Sequence, residues 1–141
     1  MLRITLFALV AAFSLLPAHA EEALSYKTLV TPLLATSDTI IGQPFAYPSG
    51  KPQVTAVIVT VPPGGETGWH EHAVPLFAYM LDGALTVDYG DKGTRVYNAG
   101  DSLMEAMNWP HDGVNKGDTP VRVLAVYIGT EGVPNATPVA K

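Results

Sequence analysis

The chain has 141 residues, no cysteine and a formal net charge of −5 at pH 7. Without thiols it forms neither disulfides nor thiolate metal sites, so its stability must come from a packed core. Its length suits one compact domain, and its acidity argues against nucleic acid or an anionic membrane surface as a partner.

In chain order, residues 1–20 read as a cleavable signal peptide. Arg3 gives a positive start, Ile4 to Leu16 is an almost unbroken apolar run, and Ala18-His19-Ala20 is a small-x-small cleavage site. The apolar run is shorter than the roughly 20 residues needed to span a bilayer, so cleavage after Ala20 is expected and anchoring is not. No cysteine follows it for lipid attachment. The mature chain is expected to be periplasmic or secreted, with no membrane attachment.

Residues 21–50 read as an N-terminal extension in which Leu29-Val30 and Thr39-Ile40-Ile41 are edge strands, interrupted by Pro32 and Pro44. Residues 51–129 hold the main domain. Gln53–Val61 alternates, with Val57, Val59 and Val61 on one face, and Pro62-Pro63-Gly64-Gly65 ends it. Gly68–His72 is a short strand, and Leu76–Leu81 leads into Asp82-Gly83, a two-residue hairpin sequence. Ala84–Tyr89, Thr94–Asn98, Ser102–Ala106, His111–Asn115 and Val121–Ile128 follow, bounded by Gly, Pro, Asn or Asp. Frequent turn signals without long helical periodicity predict an all-β sandwich or barrel. Residues 130–141, rich in Pro and Ala, read as a loosely ordered tail.

His19 leaves with the signal, and the three remaining histidines fall in one pattern: His70-Glu71-His72, then His111. Neutral imidazole is the commonest metal ligand. Residues i and i+2 of a strand project to the same face, so two rings can converge on one ion. Three nitrogen donors suit one divalent ion of the set Fe, Mn, Ni, Cu and Zn, and they leave coordination positions open for water or a small molecule. Glu71, between two inward histidines, should point outward, and Glu66 reads as a turn residue. Trp69, Tyr79 and Trp109 read as packing aromatics, Trp109 bordering the site, and Asn115 as a structural hydrogen-bonding residue.

Residues 64–83 and 100–115 resemble, in order, the two motifs of the cupins. The first motif has a glycine, two histidines one residue apart, a glutamate four residues later and a glycine seven beyond that. Gly64, His70, His72, Leu76 and Gly83 occupy those positions. The second has glycine, proline, glycine, histidine and asparagine; here Gly100, Ala106, Asn108, His111 and Asn115 stand there. Asparagine tolerates the left-handed backbone that glycine would supply.

The resemblance implies a cupin-type jelly-roll β-barrel with a metal site of His70, His72 and His111, open to a small-molecule ligand or substrate. Leu76 replaces the carboxylate ligand, and Glu105 is expected to supply it from the opposite wall, as fourth ligand and general base. The other readings of Glu105 are an outward position or an ion pair with Arg95 or Arg122. Leu76, Ala78, Met80 and Leu103 are expected as apolar walls. The implied function is an exported metal-binding cupin, an oxygenase or Lewis-acid enzyme acting on a small oxygen-rich molecule, with a quercetinase-like oxygenase as nearest model. The alternatives are a non-catalytic module for a small ligand or metal, and a purely structural barrel. Edge strands also offer a homodimer interface.

Overall fold

A computed structural model describes residues 25–140, so the expected signal peptide lies outside the described residues. Of the described residues, 25–31 belong to a unit separate from the rest. Its described part is one helical turn, α1 (Tyr26–Leu29), in which the Ser25 carbonyl accepts from both the amide and the hydroxyl of Thr28. The edge strand expected at Leu29-Val30 is therefore not formed. Local side-chain-to-backbone bonding gives this segment an alternative to a ladder.

The second unit, from Pro32 onward, is almost entirely strand and turn. Its strands are β1 (Pro52–Val61), β2 (His70–Glu71), β3 (Leu76–Asp82), β4 (Ala84–Asp88), β5 (Thr94–Asn98), β6 (Ser102–Met104), β7 (Asp112–Val114), β8 (Val121–Thr130) and β9 (Thr137–Pro138). One sheet has the order β1-β8-β3-β6 and another β5-β4-β7, while β2 pairs with β9. Every pairing is antiparallel. A bridge between His70 and His111 links β2 to the segment entering β7.

The core lies between the sheets. Val61, Met80, Leu103, Val121 and Val123 of the larger sheet meet Leu85, Val87 and Tyr97 of the smaller one in a continuous buried cluster. Period-2 alternation produces this face: Leu76, Ala78 and Met80 are buried along β3 while Phe77 and Tyr79 are only partly so. Burying each large side chain contributes about 1.5–3 kcal/mol. β1 departs from the expected pattern. It lies at the sheet edge, and Val57 stays 39% exposed although Val61 is buried.

Three further segments differ from expectation. Asp82-Gly83 is not a hairpin, because β3 and β4 belong to different sheets and the dipeptide turns the corner between them. Gly83 has φ 76, and a Cβ there would lie 2.9 Å from Val121 Cγ2, so only glycine fits this corner. Residues 39–41 turn instead of forming an edge strand. Gly42 (φ 79) lets Thr39 exchange backbone hydrogen bonds with Gln43 and Gly42, while the Ile40 amide donates to Met104 O at 2.7 Å. The tail, expected to be loose, folds back. Glu131 N–H donates to Lys51 O, and Thr137–Pro138 covers the edge of β2 that would otherwise be unpaired.

Candidate metal centre

Gly68, at φ 74, re-aims the chain after the Pro62–Gly65 turn so that β2 runs beside the segment entering β7. His70 and His111 exchange both backbone hydrogen bonds, each at 3.0 Å, which makes them directly opposed residues of an antiparallel pair. Their side chains share one face, and His72, two residues past His70, joins them. The His72 carbonyl accepts from Asn108 N–H at 2.8 Å, and Asn108 holds the left-handed φ of 47 anticipated for it.

The ring centroids are 4.9 Å (His70–His72), 4.5 Å (His70–His111) and 5.1 Å (His72–His111) apart. One ligand atom from each residue lies within 4.8 Å of the other two. His72 and His111 are 2% exposed, so the cluster faces the interior.

Each Nδ1 is already engaged: His70 with Gly68 O (2.7 Å), His72 with Asn135 O (2.8 Å) and His111 with Trp109 O (2.8 Å). A carbonyl oxygen only accepts, so each Nδ1 carries a hydrogen, and in the neutral ring that leaves the lone pair on Nε2. Orienting a ligand imidazole through its other nitrogen is the usual outer support of a metal site. Burial lowers the proton affinity of His70, opposed by the backbone bond to Gly68, and brings His72 down to about 4. At neutral pH these two rings carry no charge and can coordinate through Nε2. The three histidines could hold a metal ion.

The cluster opens into a cavity of about 360 Å³. The anticipated walls Leu76, Ala78, Met80 and Leu103 all line it, joined by Val123, Ala125 and others. No lysine or arginine is among the described lining residues.

Glu105 is buried and lines the same cavity. Its place corrects the expectation of an opposite wall. The β3–β6 register pairs Phe77 with Met104 and Ala78 with Leu103, and the Glu105 amide donates to Leu76 O at 2.9 Å. Glu105 is thus the cross-strand neighbour of Leu76 in the same sheet. Directly opposed residues present their side chains on one face, so the carboxylate stands one strand away from the position that the motif would give it.

Glu105 Oε1 accepts from Ala106 N–H at 2.7 Å, and Oε2 lies 4.0 Å from His111 Nε2. Glu105 is not part of the mutually close donor set, which comprises the histidines. The considered pairing with Arg122 is not formed, since Arg122 meets Asp82 at 2.9 Å.

Two tyrosines at the site were not singled out by sequence. The buried Tyr89 and Tyr97 hydroxyls hydrogen-bond at 3.0 Å, and Tyr97 lines the cavity. Burial, then the nearby Glu105 charge, holds the Tyr89 phenol far above its ordinary value. Burial pushes Tyr97 up to about 12. The inward phase of Leu85-Val87-Tyr89 was readable, but not that it would reach the carboxylate. Trp109 behaves as a packing aromatic: its indole N–H donates to Tyr89 O at 2.8 Å. Asn115 is the expected structural link, donating to Val61 O and Thr119 O and accepting from Gly117 N–H. Glu71 and Glu66 are not among the lining residues.

The antiparallel layers enclose a carbon-walled pocket on which three histidines converge, a set that could hold a metal ion. The Cupin domain family model matches residues 57–127, half of the chain, and the chain belongs to the cupin family. Among curated proteins, none matches the sequence.

Among solved structures, the oxalate decarboxylase of Lactobacillus farciminis in a formate complex is similar in fold, at 24% identity and a TM-score of 0.54, over 61% of this chain and 26% of that one. The oxalate decarboxylase of Bacillus subtilis, studied for its Mn(II) centers, matches at 25% identity and a TM-score of 0.51, over 61% and 24%. A DMSP lyase structure shares the fold at 17% identity and a TM-score of 0.54, over 62% and 44%. This chain spans about a quarter of the length of the decarboxylases it matches.

Proposed function

We propose that this protein is a metal-dependent cupin that binds one divalent ion through Nε2 of His70, His72 and His111 and presents it to a small molecule in the cavity. The observation that carries this reading is the shared orientation of the rings: all three Nδ1 atoms are tied to carbonyl oxygens, which frees all three Nε2 atoms in a buried cluster. Bound there, the ion would supply Lewis-acid or dioxygen chemistry to an oxygen donor of the substrate. The Mn(II) centers of the B. subtilis relative support a first-row divalent ion.

The walls indicate the rest of the ligand. A carbon-lined cavity with no cationic side chain among its described lining residues favours an apolar body carrying a few oxygen donors, and disfavours a small dianion such as oxalate, whose second charge would lie unpaired away from water. Glu105 stands beside His111 as a fourth ligand or as the base that takes a proton from the bound molecule. The chain acts after export, on the reading of residues 1–20 as a signal.

Elemental analysis of untagged mature protein, beside His72→Ala and Glu105→Gln, tests the site. About one divalent ion per chain, lost in His72→Ala, is expected. Metal-free wild type, or equal loading of His72→Ala, would reject it. Conversion of a catechol, flavonol or diketone by the loaded protein would establish an enzyme, whereas saturable binding without product would establish a binding module.

A further inference from the structure

We propose that the C-terminal segment Asn135–Pro138 is a positioning strap: it fixes which nitrogen His72 offers to the metal, and it forms a releasable wall of the ligand cavity. The inference rests on the metal-binding reading above. Two of the three histidines receive their orienting carbonyl locally, from the residue two positions earlier, Gly68 for His70 and Trp109 for His111. Those bonds form whenever the strands do. His72 receives its carbonyl from Asn135, 63 residues away in sequence. Its ring is therefore correctly set only when the tail is in place.

The tail is held for this purpose on both sides of Asn135. Thr130 Oγ donates to Lys51 O at 2.9 Å at the root of the segment. Beyond Asn135, β9 pairs His70 with Pro138 and Glu71 with Thr137, and Val139 N–H donates to Trp69 O at 3.0 Å. The strap thus lies along the strand that carries two of the ligands. Ala136 and Pro138 face the cavity and complete its wall.

The attachment is also short. The ladder is two residues long, and Pro138 has no amide to donate. Gly132, at φ 83, turns the chain just before the strap. Release would break a few backbone hydrogen bonds and leave the larger sheets paired. It would open the cavity and free His72 to take the tautomer with hydrogen on Nε2, which cannot coordinate through that atom.

The test compares the full chain with a variant ending at Glu131, a control ending at Val139, and Val139→Pro, which removes the amide bonded to Trp69. Two quantities are read: imidazole ¹⁵N shifts of His72 in the metal-free protein, and affinity and visible spectrum with Co(II). Full chain and control should show His72 with hydrogen on Nδ1 and should share one Co(II) spectrum. The variant ending at Glu131 should show mixed tautomers, an altered spectrum and about 10–100-fold weaker Co(II) binding, the range for loss of an outer-shell partner. Val139→Pro should move in the same direction by less.

Unchanged tautomer and affinity in the shortened chain would overturn the strap, and so would unchanged values in Val139→Pro if the shortened chain does not fold. If the full chain binds no Co(II) but the His72 tautomer still depends on the tail, the positioning role stands and the metal reading falls. If the full chain binds Co(II) and shortening changes neither quantity, the strap alone falls.

Discussion

Leu76 and Glu105 face each other across the β3–β6 ladder, and this pairing can be tested by exchanging them. Leu76→Glu would place a second carboxylate beside the first in a buried wall. Cβ atoms of directly opposed residues are about 4.5–5.5 Å apart. At ~5 Å and an effective dielectric constant of about 20, two carboxylates repel by ~3 kcal/mol. The lost leucine burial adds ~2 kcal/mol. The single variant should therefore lose about 5 kcal/mol at pH 7, a large part of an ordinary domain's stability.

Leu76→Glu combined with Glu105→Leu keeps one carboxylate on the same face and removes the repulsion. Urea unfolding of wild type, both single variants and the double variant, all metal-free, should give a coupling of ~3 kcal/mol in favour of the exchange. The coupling should shrink in acid as the carboxylate pair takes up a proton. The exchanged protein should bind metal as wild type does. Additivity within about 0.5 kcal/mol would refute the shared face, because independent sites behave that way.

Asn108→Ala should lose about 1–2 kcal/mol in urea unfolding, because alanine tolerates φ 47 poorly, whereas Asn108→Gly should stay near wild type. Asn115→Ala strands the buried carbonyl of Val61, while the Thr119 carbonyl can turn to water, and should lose ~2 kcal/mol by the same assay. Stability should also depend on pH. Burial lowers His72 from 6.5 to about 4, so as pH falls the unfolded chain takes up that proton first. Metal-free stability attributable to His72 should be complete above pH ~6.5 and fall by ~3 kcal/mol on acidification toward pH 4. Unfolding midpoints across that range check the slope, and His72→Ala should flatten it.

The legible part of this chain was whatever period and composition determine. Alternation in β3 and β4 set their inward faces, and the i, i+2 spacing set His70 and His72 on one side, because these depend only on local backbone geometry. The cavity walls followed from the same phase. What depends on long-range pairing was not legible. Asp82-Gly83 has the local signature of a hairpin, yet the strands on either side join different sheets, and only the packing of Gly83 against Val121 reveals the corner.

Glu105 was found as a carboxylate, but its strand neighbour was not, since register between β3 and β6 is invisible in single-chain periodicity. The tail misled for a different reason. Pro and Ala are poor ladder formers, but Asn135 serves through a backbone carbonyl, which every residue possesses and no side-chain pattern advertises. The segments at residues 29–30 and 39–41 have strand-like composition, but Leu29 closes a helical turn held by Thr28 and residues 39–41 turn at Gly42.

X-ray absorption at the metal edge of the Mn- or Co-loaded protein bears most directly on the claim that three imidazoles hold one ion. Three nitrogen back-scatterers with imidazole outer-shell signature are expected, reduced to two in His72→Ala. A spectrum with oxygen donors alone, unchanged by that substitution, would contradict that claim.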